Sequence, residues 1–245
     1  MEIFRSLRLD GDFIFRFELI HKPRFGRNIR YEGTMWGAWN EIGPITRIQL
    51  TPGEDEDGET GVLEFIVQNG AEPTIWRRSD EASAFERVTG EGIFEPVLPG
   101  LVYTPFDLQM PFIYWAEFEY EGPLRIGSRV AQQFRMLPPS GSASEARGIR
   151  AVRIAIDDTY NALLRVEVLG GSDEVVLTDF NIESFKKVQN QHIVKRVSIF
   201  DEASRDRTTF DVRSASVGLT LDPIVFDPRR SGEIPEIFGA RFKEL

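Results

Sequence analysis

Apolar and polar residues alternate with a period of two along much of this chain, the pattern of half-buried β-strands. In Asp12-Phe13-Ile14-Phe15-Arg16-Phe17-Glu18-Leu19 the alternation puts Phe13, Phe15, Phe17 and Leu19 on one face and Arg16 and Glu18 on the other. From Ile29 to Trp39, Tyr31, Gly33, Met35 and Gly37 alternate against Glu32, Thr34 and Trp36. Glycines inside such a run mark bulges or bends, as at barrel corners. Ile45–Leu50 and Gly61–Val67 flank a polar hairpin tip, Pro52–Gly58, and Asn69-Gly70 turns the chain into a short strand over Thr74–Arg77. Further strands are predicted over Trp115–Tyr120, Ser128–Leu137, Ile149–Ile156, Leu163–Leu169, Glu174–Phe185, His192–Phe200 and Thr208–Leu219, with Gly141–Gly148 as a loop.

Helical signals are few. Ser79–Val88 predicts one helix, with Ser79 or Asp80 as its cap. Thr104–Leu108 predicts a second: Thr104 caps it, Pro105 fits the first helical position, and Asp107 suits the positive end. The tail Pro235–Phe242 reads either as a short helix or as an extended lash. No linker or solenoid repeat divides the chain. The expectation is a single mainly-β domain over residues 1–245, with about ten or eleven antiparallel strands in one strongly curved sheet or partial barrel.

Composition narrows the chemistry. The chain has 245 residues, 41% of them hydrophobic, and a net charge of −10, which argues against general nucleic-acid binding. With no cysteine, thiol catalysis, Cys-ligated zinc and disulfides are excluded together. No apolar run reaches the roughly 18 residues of a membrane helix. The start at Met1-Glu2-Ile3-Phe4-Arg5 does not read as a signal peptide, and a trimmed chain would look the same.

No catalytic signature emerges. His21 closes one strand and His192 opens another, neither in a ligand or nucleophile pattern. Counting Gly58 as the sixth position of an EF-hand loop puts Asp55, Asp57 and Glu64 at ligand positions, but the first is Gly53, which has no carboxylate. A solvated hairpin tip is the simpler reading of Glu54–Asp57. Asp157-Asp158, Asp179, Asp201-Glu202, Asp206 and Asp211 supply carboxylates that a glycosidase-like pair would need, yet they fall mostly at strand ends and turns. More informative are the 19 Phe together with Trp36, Trp39, Trp76 and Trp115. A curved sheet lined with such rings makes either a packed core or a ligand cavity.

The second half resembles a bacterial family, the outer-membrane lipoprotein-sorting proteins related to the periplasmic carrier LolA. The resemblance is carried by Glu95-Pro96-Val97-Leu98-Pro99-Gly100-Leu101-Val102-Tyr103-Thr104-Pro105-Phe106-Asp107-Leu108, and by Tyr120-Glu121-Gly122 with Gly127-Ser128-Arg129. It continues through Val152–Asp157 with Tyr160–Arg165, then Ile193–Arg196, Arg207–Phe210 and Asp222–Pro228. Residues 94–228 match best, with fainter likeness from Leu7 onward. The resemblance implies an unclosed half-barrel whose helices cover a hydrophobic cavity for acyl chains. It also implies residence in the periplasm and non-catalytic transport, with no cofactor. Lipid or lipoprotein acyl chains are the expected partners, and envelope membrane proteins a further one. Phe13, Phe15, Phe17, Leu19, Met35, Trp76, Phe94, Phe106 and Phe112 are the expected cavity wall, chosen by strand alternation or by position in the covering helices. The rival expectations are an envelope interaction or sensor domain with a filled cavity, and a hydrolase built on two facing carboxylates.

Overall fold

The computed structural model of the chain describes residues 1–52, 62–80, 83–98, 100–230, 234, 237 and 239–245. Helix α1 (Glu2–Ser6) precedes strands β1 (Asp12–Lys22), β2 (Ile29–Trp39), β3 (Pro44–Pro52), β4 (Leu63–Gln68), β5 (Thr74–Arg78) and β6 (Glu86–Arg87). A covering segment follows, with 3-10 turns at Gly90–Phe94 and Pro111–Tyr114 around helix α2 (Pro105–Gln109). Then come β7 (Phe118–Ile126), β8 (Arg129–Met136), helix α3 (Ala143–Ala146), β9 (Ile149–Asp157), β10 (Leu163–Gly170), β11 (Val175–Val188), β12 (Gln191–Asp201) and β13 (Arg207–Leu219). A 3-10 turn at Pro223–Phe226 leads to β14 (Lys243–Glu244).

These strands form one antiparallel sheet in the order β6-β5-β4-β3-β2-β1-β13-β12-β11-β10-β9-β8-β7, with β14 added to β13. The 14 strands among the described residues exceed the ten or eleven expected, and two of them, β6 and β14, are only two residues long. The sheet stays open, with β6 and β7 as its edges. Strands consecutive in the chain are also neighbours in the sheet, save β6 and β7, which lie at opposite edges, and the sheet's central seam joins β1 to the sequence-distant β13. The chain must therefore travel from one sheet edge to the other between Val88 and Glu117, and it does so across the concave face. The covering segment is a consequence of this topology.

Curvature comes from register shifts, which β1 shows opposite β13 between Arg16 and Phe17. The β1–β2 ladder, by contrast, is unbroken from Phe13↔Gly37 to His21↔Ile29. The β2 glycines are thus not bends. A Cβ on Gly33 would stand 2.3 Å from Cζ of Phe17, and one on Gly37 2.0 Å from Cζ of Phe13. Each glycine seats the ring of its cross-strand partner.

Three other expectations are corrected. The helix predicted over Ser79–Val88 is not formed: Glu86 and Arg87 pair with Arg77 and Trp76, so cross-strand bonding prevails over local helix propensity. The Gly141–Gly148 loop holds helix α3, which Ser142 caps by accepting from Glu145 N–H at 3.2 Å. The predicted strand at Trp115 begins only at Phe118. Helix α2 forms as its residues dictate, with a complete capping box between Thr104 and Asp107. The hairpin tip Glu54–Asp57 lies outside the described residues, as do residues 235, 236 and 238 of the tail.

The largest core lies between the concave face and the covering segment. It includes Phe65, Val152, Ile154 and Ile199 from the sheet and Val97, Leu101, Phe106 and Phe112 from above. On the convex face a smaller core joins Ile14, Trp36, Ile45 and Ile66 to Leu221, Val225 and Phe226 of the returning C-terminal segment. Beside it Glu64, 1% exposed, accepts from Arg47 at 2.6 Å and from Arg78 at 2.8 Å. Elsewhere on that face charged side chains form a lattice, Glu121–Arg153–Glu167–Arg165–Asp179.

Candidate functional site: a covered apolar cavity

Under the covering segment lies a cavity of about 470 Å³. Its floor is the concave face near the β1–β13 seam, where Phe15, Phe17 and Leu19 of β1 point inward beside Met35 of β2. Ile48 and Leu50 of β3, Phe65 of β4, Phe180 of β11 and Phe210 of β13 extend the floor on both sides. The period-two alternation accounts for this wall, because each strand turns every second side chain to the same face. The roof is supplied by Val97, Tyr103, Leu108, Met110 and Ile113, and α1 closes one end with Phe4, Arg5 and Leu7.

The roof is fastened at a few defined points. Arg5 donates from Nε to Ile113 O at 2.7 Å and from Nη2 to Trp115 O at 2.8 Å, tying α1 to the last turn of the cover. Asn69 donates to Gln109 O at 2.6 Å and Leu108 O at 3.2 Å, satisfying carbonyls that α2 leaves free at its end. Val102 N–H donates to Thr208 Oγ1 at 3.2 Å, and that oxygen also meets His21 Nδ1 at 3.0 Å. Burial lowers the His21 pKa, an effect that nearby Asp206 partly offsets, so the ring is neutral at pH 7. Rings do the rest: Phe94, Phe106, Phe112 and Trp115 form a chain of contacts at 5.4, 5.7 and 6.4 Å between centroids.

The residues singled out from sequence therefore divide. Phe15, Phe17, Leu19 and Met35 line the cavity. Phe13 shares their face, and its ring stacks on Phe15 at 4.4 Å, just beyond the lining. Phe106 and Phe112 are buried in the main core with Phe94 packed against them, where they hold the cover down and leave the lining to other residues. Trp76 faces the other way: it pairs with Ile66, and both belong to the convex-face core. The alternation in Ile45–Leu50 and Gly61–Val67 was the available signal for Ile48, Leu50 and Phe65. Phe4 and Tyr103 had no comparable signal, since α1 and the cover reach the cavity only through tertiary packing, whereas Phe210 lies in the predicted strand Thr208–Leu219.

Polar groups in the lining are sparse, and Asp107 is the one carboxylate among the described lining residues. Its Oδ2 accepts from Thr104 N–H at 2.8 Å and from Thr104 Oγ1 at 2.7 Å. Burial pushes this carboxyl up to about 6, against the pull of the Thr104 bonds and with a further push from Asp201. Burial also raises the Tyr103 hydroxyl, helped by the charges of Asp107 and Glu183, so it is a neutral donor at physiological pH. The carboxylates considered for catalysis are engaged elsewhere. Asp157 binds Arg129 at 2.9 Å and caps the turn at Thr159 and Tyr160, and Asp211 pairs with Lys195 at 2.7 Å and Arg196 at 3.0 Å. Asp179 pairs with Arg165, while Asp201 and Asp206 bind backbone N–H groups of Ser204 and Arg24.

At the level of sequence the chain matches no family model and no curated protein. Solved structures share its fold. A putative outer membrane lipoprotein-sorting protein domain from Vibrio parahaemolyticus is similar over 94% of this chain and 95% of that one, with a TM-score of 0.75 at 13% identity. A DUF1329 family protein from Desulfovibrio piger covers 92% of both chains with a TM-score of 0.74 at 10% identity. A LolA superfamily protein from Nitrosomonas europaea covers 89% of this chain and 90% of its own, with a TM-score of 0.63 at 11% identity. Among the described residues no helix is long and apolar enough to cross a membrane. The fold of this chain, an open antiparallel barrel under a short helical cover, is that of the LolA-like and lipoprotein-sorting structures.

Proposed function

We propose that this protein is a periplasmic carrier that holds acyl chains of a lipid or lipoprotein in its covered cavity and performs no chemistry on them. The observation that carries this reading is the cavity itself. Its roughly 470 Å³ falls within the 300–1,000 Å³ of ordinary ligand sites, and its walls are almost wholly apolar. A barrel built only as an interaction module would fill that space with side chains. Each methylene removed from water is worth roughly 0.8 kcal/mol, so a chain of about twelve methylenes gains about 10 kcal/mol before the cost of association. Phe15, Phe17, Leu19 and Met35 serve as a collective wall, and the cover is the element that must move for loading and release.

Uptake of N-phenyl-1-naphthylamine, a dye that brightens in apolar surroundings, tests this. Saturable uptake that oleate or monooleoylglycerol displaces is expected. Met35→Trp, which fills the cavity from its floor, should weaken uptake at least tenfold with little change in melting temperature. Unchanged uptake by that variant would show that the dye binds elsewhere.

A further inference from the structure

The cavity is mostly apolar, and two of its few polar side chains stand on its roof. Tyr103 and Asp107 both line it, Asp107 closing the Thr104 capping box and Tyr103 directly preceding Thr104. Of the two Asp107 oxygens, Oδ2 takes both bonds from Thr104, and Oδ1 has no hydrogen-bond partner among the described residues. The Tyr103 hydroxyl, on a side chain only 6% exposed, likewise has none. An unmet donor and an unmet acceptor thus stand in the wall of the site, open to a ligand that can pair with both. The charge of Asp107 acts on Tyr103, so the two share one electrostatic neighbourhood, and Glu183 and Asp201 make that neighbourhood acidic.

We propose that Tyr103 and Asp107 form a polar subsite for cargo whose polar end is uncharged and carries a hydroxyl and a carbonyl, a hydroxylated acyl ester or amide, in preference to a free fatty acid. The Tyr103 hydroxyl donates to the carbonyl, and Asp107 Oδ1 accepts from the hydroxyl. A carboxylate headgroup offers Asp107 no proton and meets acidic surroundings. Arg5, the one cation among the described lining residues, spends Nε and Nη2 on carbonyls of the cover. Sites built to hydrogen-bond a ligand hydroxyl discriminate strongly against analogues that lack it. The inference rests on the carrier reading above and specifies its cargo.

The test is competition against bound N-phenyl-1-naphthylamine at pH 7.5 by 1-monooleoylglycerol and by oleate, two probes with the same chain. Monooleoylglycerol should compete at least tenfold more strongly. Tyr103→Phe should erase most of that advantage, with each lipid read as its ratio to the dye affinity of the same variant, and Asp107→Asn should strengthen oleate. Equal or stronger competition by oleate, unaltered in Tyr103→Phe, overturns the headgroup assignment, and loss of oleate competition in Arg5→Gln would move the polar end to Arg5. Failure of the wild-type protein to take up the dye or either lipid overturns the carrier reading itself.

Discussion

Replacing Gly33 by alanine tests the account of how the cavity floor is assembled. Gly33 lies directly opposite Phe17 on the neighbouring strand, and its added Cβ would fall 2.3 Å from Cζ and 2.7 and 2.8 Å from the two Cε atoms of that ring. Ordinary carbon contact lies at roughly 3.5–4.0 Å, so the ring must withdraw by about 1 Å or more. It has little freedom to do so, being 3% exposed and packed on Phe210 at 4.6 Å. Overpacking of this kind costs roughly 1–3 kcal/mol, offset by the 0.4–1 kcal/mol that alanine gains by restricting the unfolded chain. The net destabilisation should be about 1–2 kcal/mol, which for a chain of this size lowers the melting temperature by about 2–8 °C. The assay is denaturant unfolding of wild type, Gly33→Ala, Phe17→Ala and the double variant. Phe17→Ala alone should cost about 3–5 kcal/mol. In that background Gly33→Ala should be neutral or stabilising, giving a coupling of at least about 1 kcal/mol. Equal effects of Gly33→Ala in the two backgrounds would refute the claim that the glycine exists to seat the ring.

Three further outcomes follow from the same geometry. Arg5→Ala removes two charge-assisted bonds to the cover, each worth about 1.5–3 kcal/mol at most, and should speed amide exchange at Phe112 to Trp115 about tenfold or more while the β9–β10 amides are unaffected. Because burial raises the Asp107 carboxyl from 3.8 to about 6, the folded state holds that proton more tightly; the resulting stability is complete below pH 4 and is lost as pH rises through 6. That gap amounts to about 3 kcal/mol, so Asp107→Asn should gain on wild type by up to that much between pH 4 and pH 7, and parallel pH profiles would contradict it. Glu64→Gln leaves Arg47 and Arg78 without their shared buried carboxylate and should cost about 3–5 kcal/mol in urea unfolding; a loss below 1 kcal/mol would show that the cluster is not desolvated as its burial implies.

How far these features were readable in the sequence depends on the range of the interactions behind them. Phe13 to Leu19 alternate strictly, and the sheet uses that alternation as written, because one face is buried and the register is pinned by it. The capped helix at Thr104–Gln109 was equally plain, since Thr104, Pro105 and Asp107 act within a single turn. Ser79–Val88 went otherwise, because the pairing of Glu86 and Arg87 with β5 is set by a hairpin that local propensity cannot see. Trp76 shows the same limit one level up: its residue type suits a cavity, and only the register against Ile66 tells which face it takes. The roof is the least legible part. Tyr103 and Asp107 become neighbours of the cavity through a crossover between sheet edges and Arg5 through the packing of α1, and no periodic pattern records where such segments will land.

The central claim is that the cavity holds an acyl chain. Native mass spectrometry of the protein purified from a bacterial envelope fraction, followed by organic extraction, addresses it most directly. The account predicts an adduct that survives gentle ionisation, extracts as a lipid bearing at least one acyl chain, and is depleted in Met35→Trp. A protein that carries the bare chain mass from every preparation, and gains none on incubation with monooleoylglycerol or oleate, would contradict it.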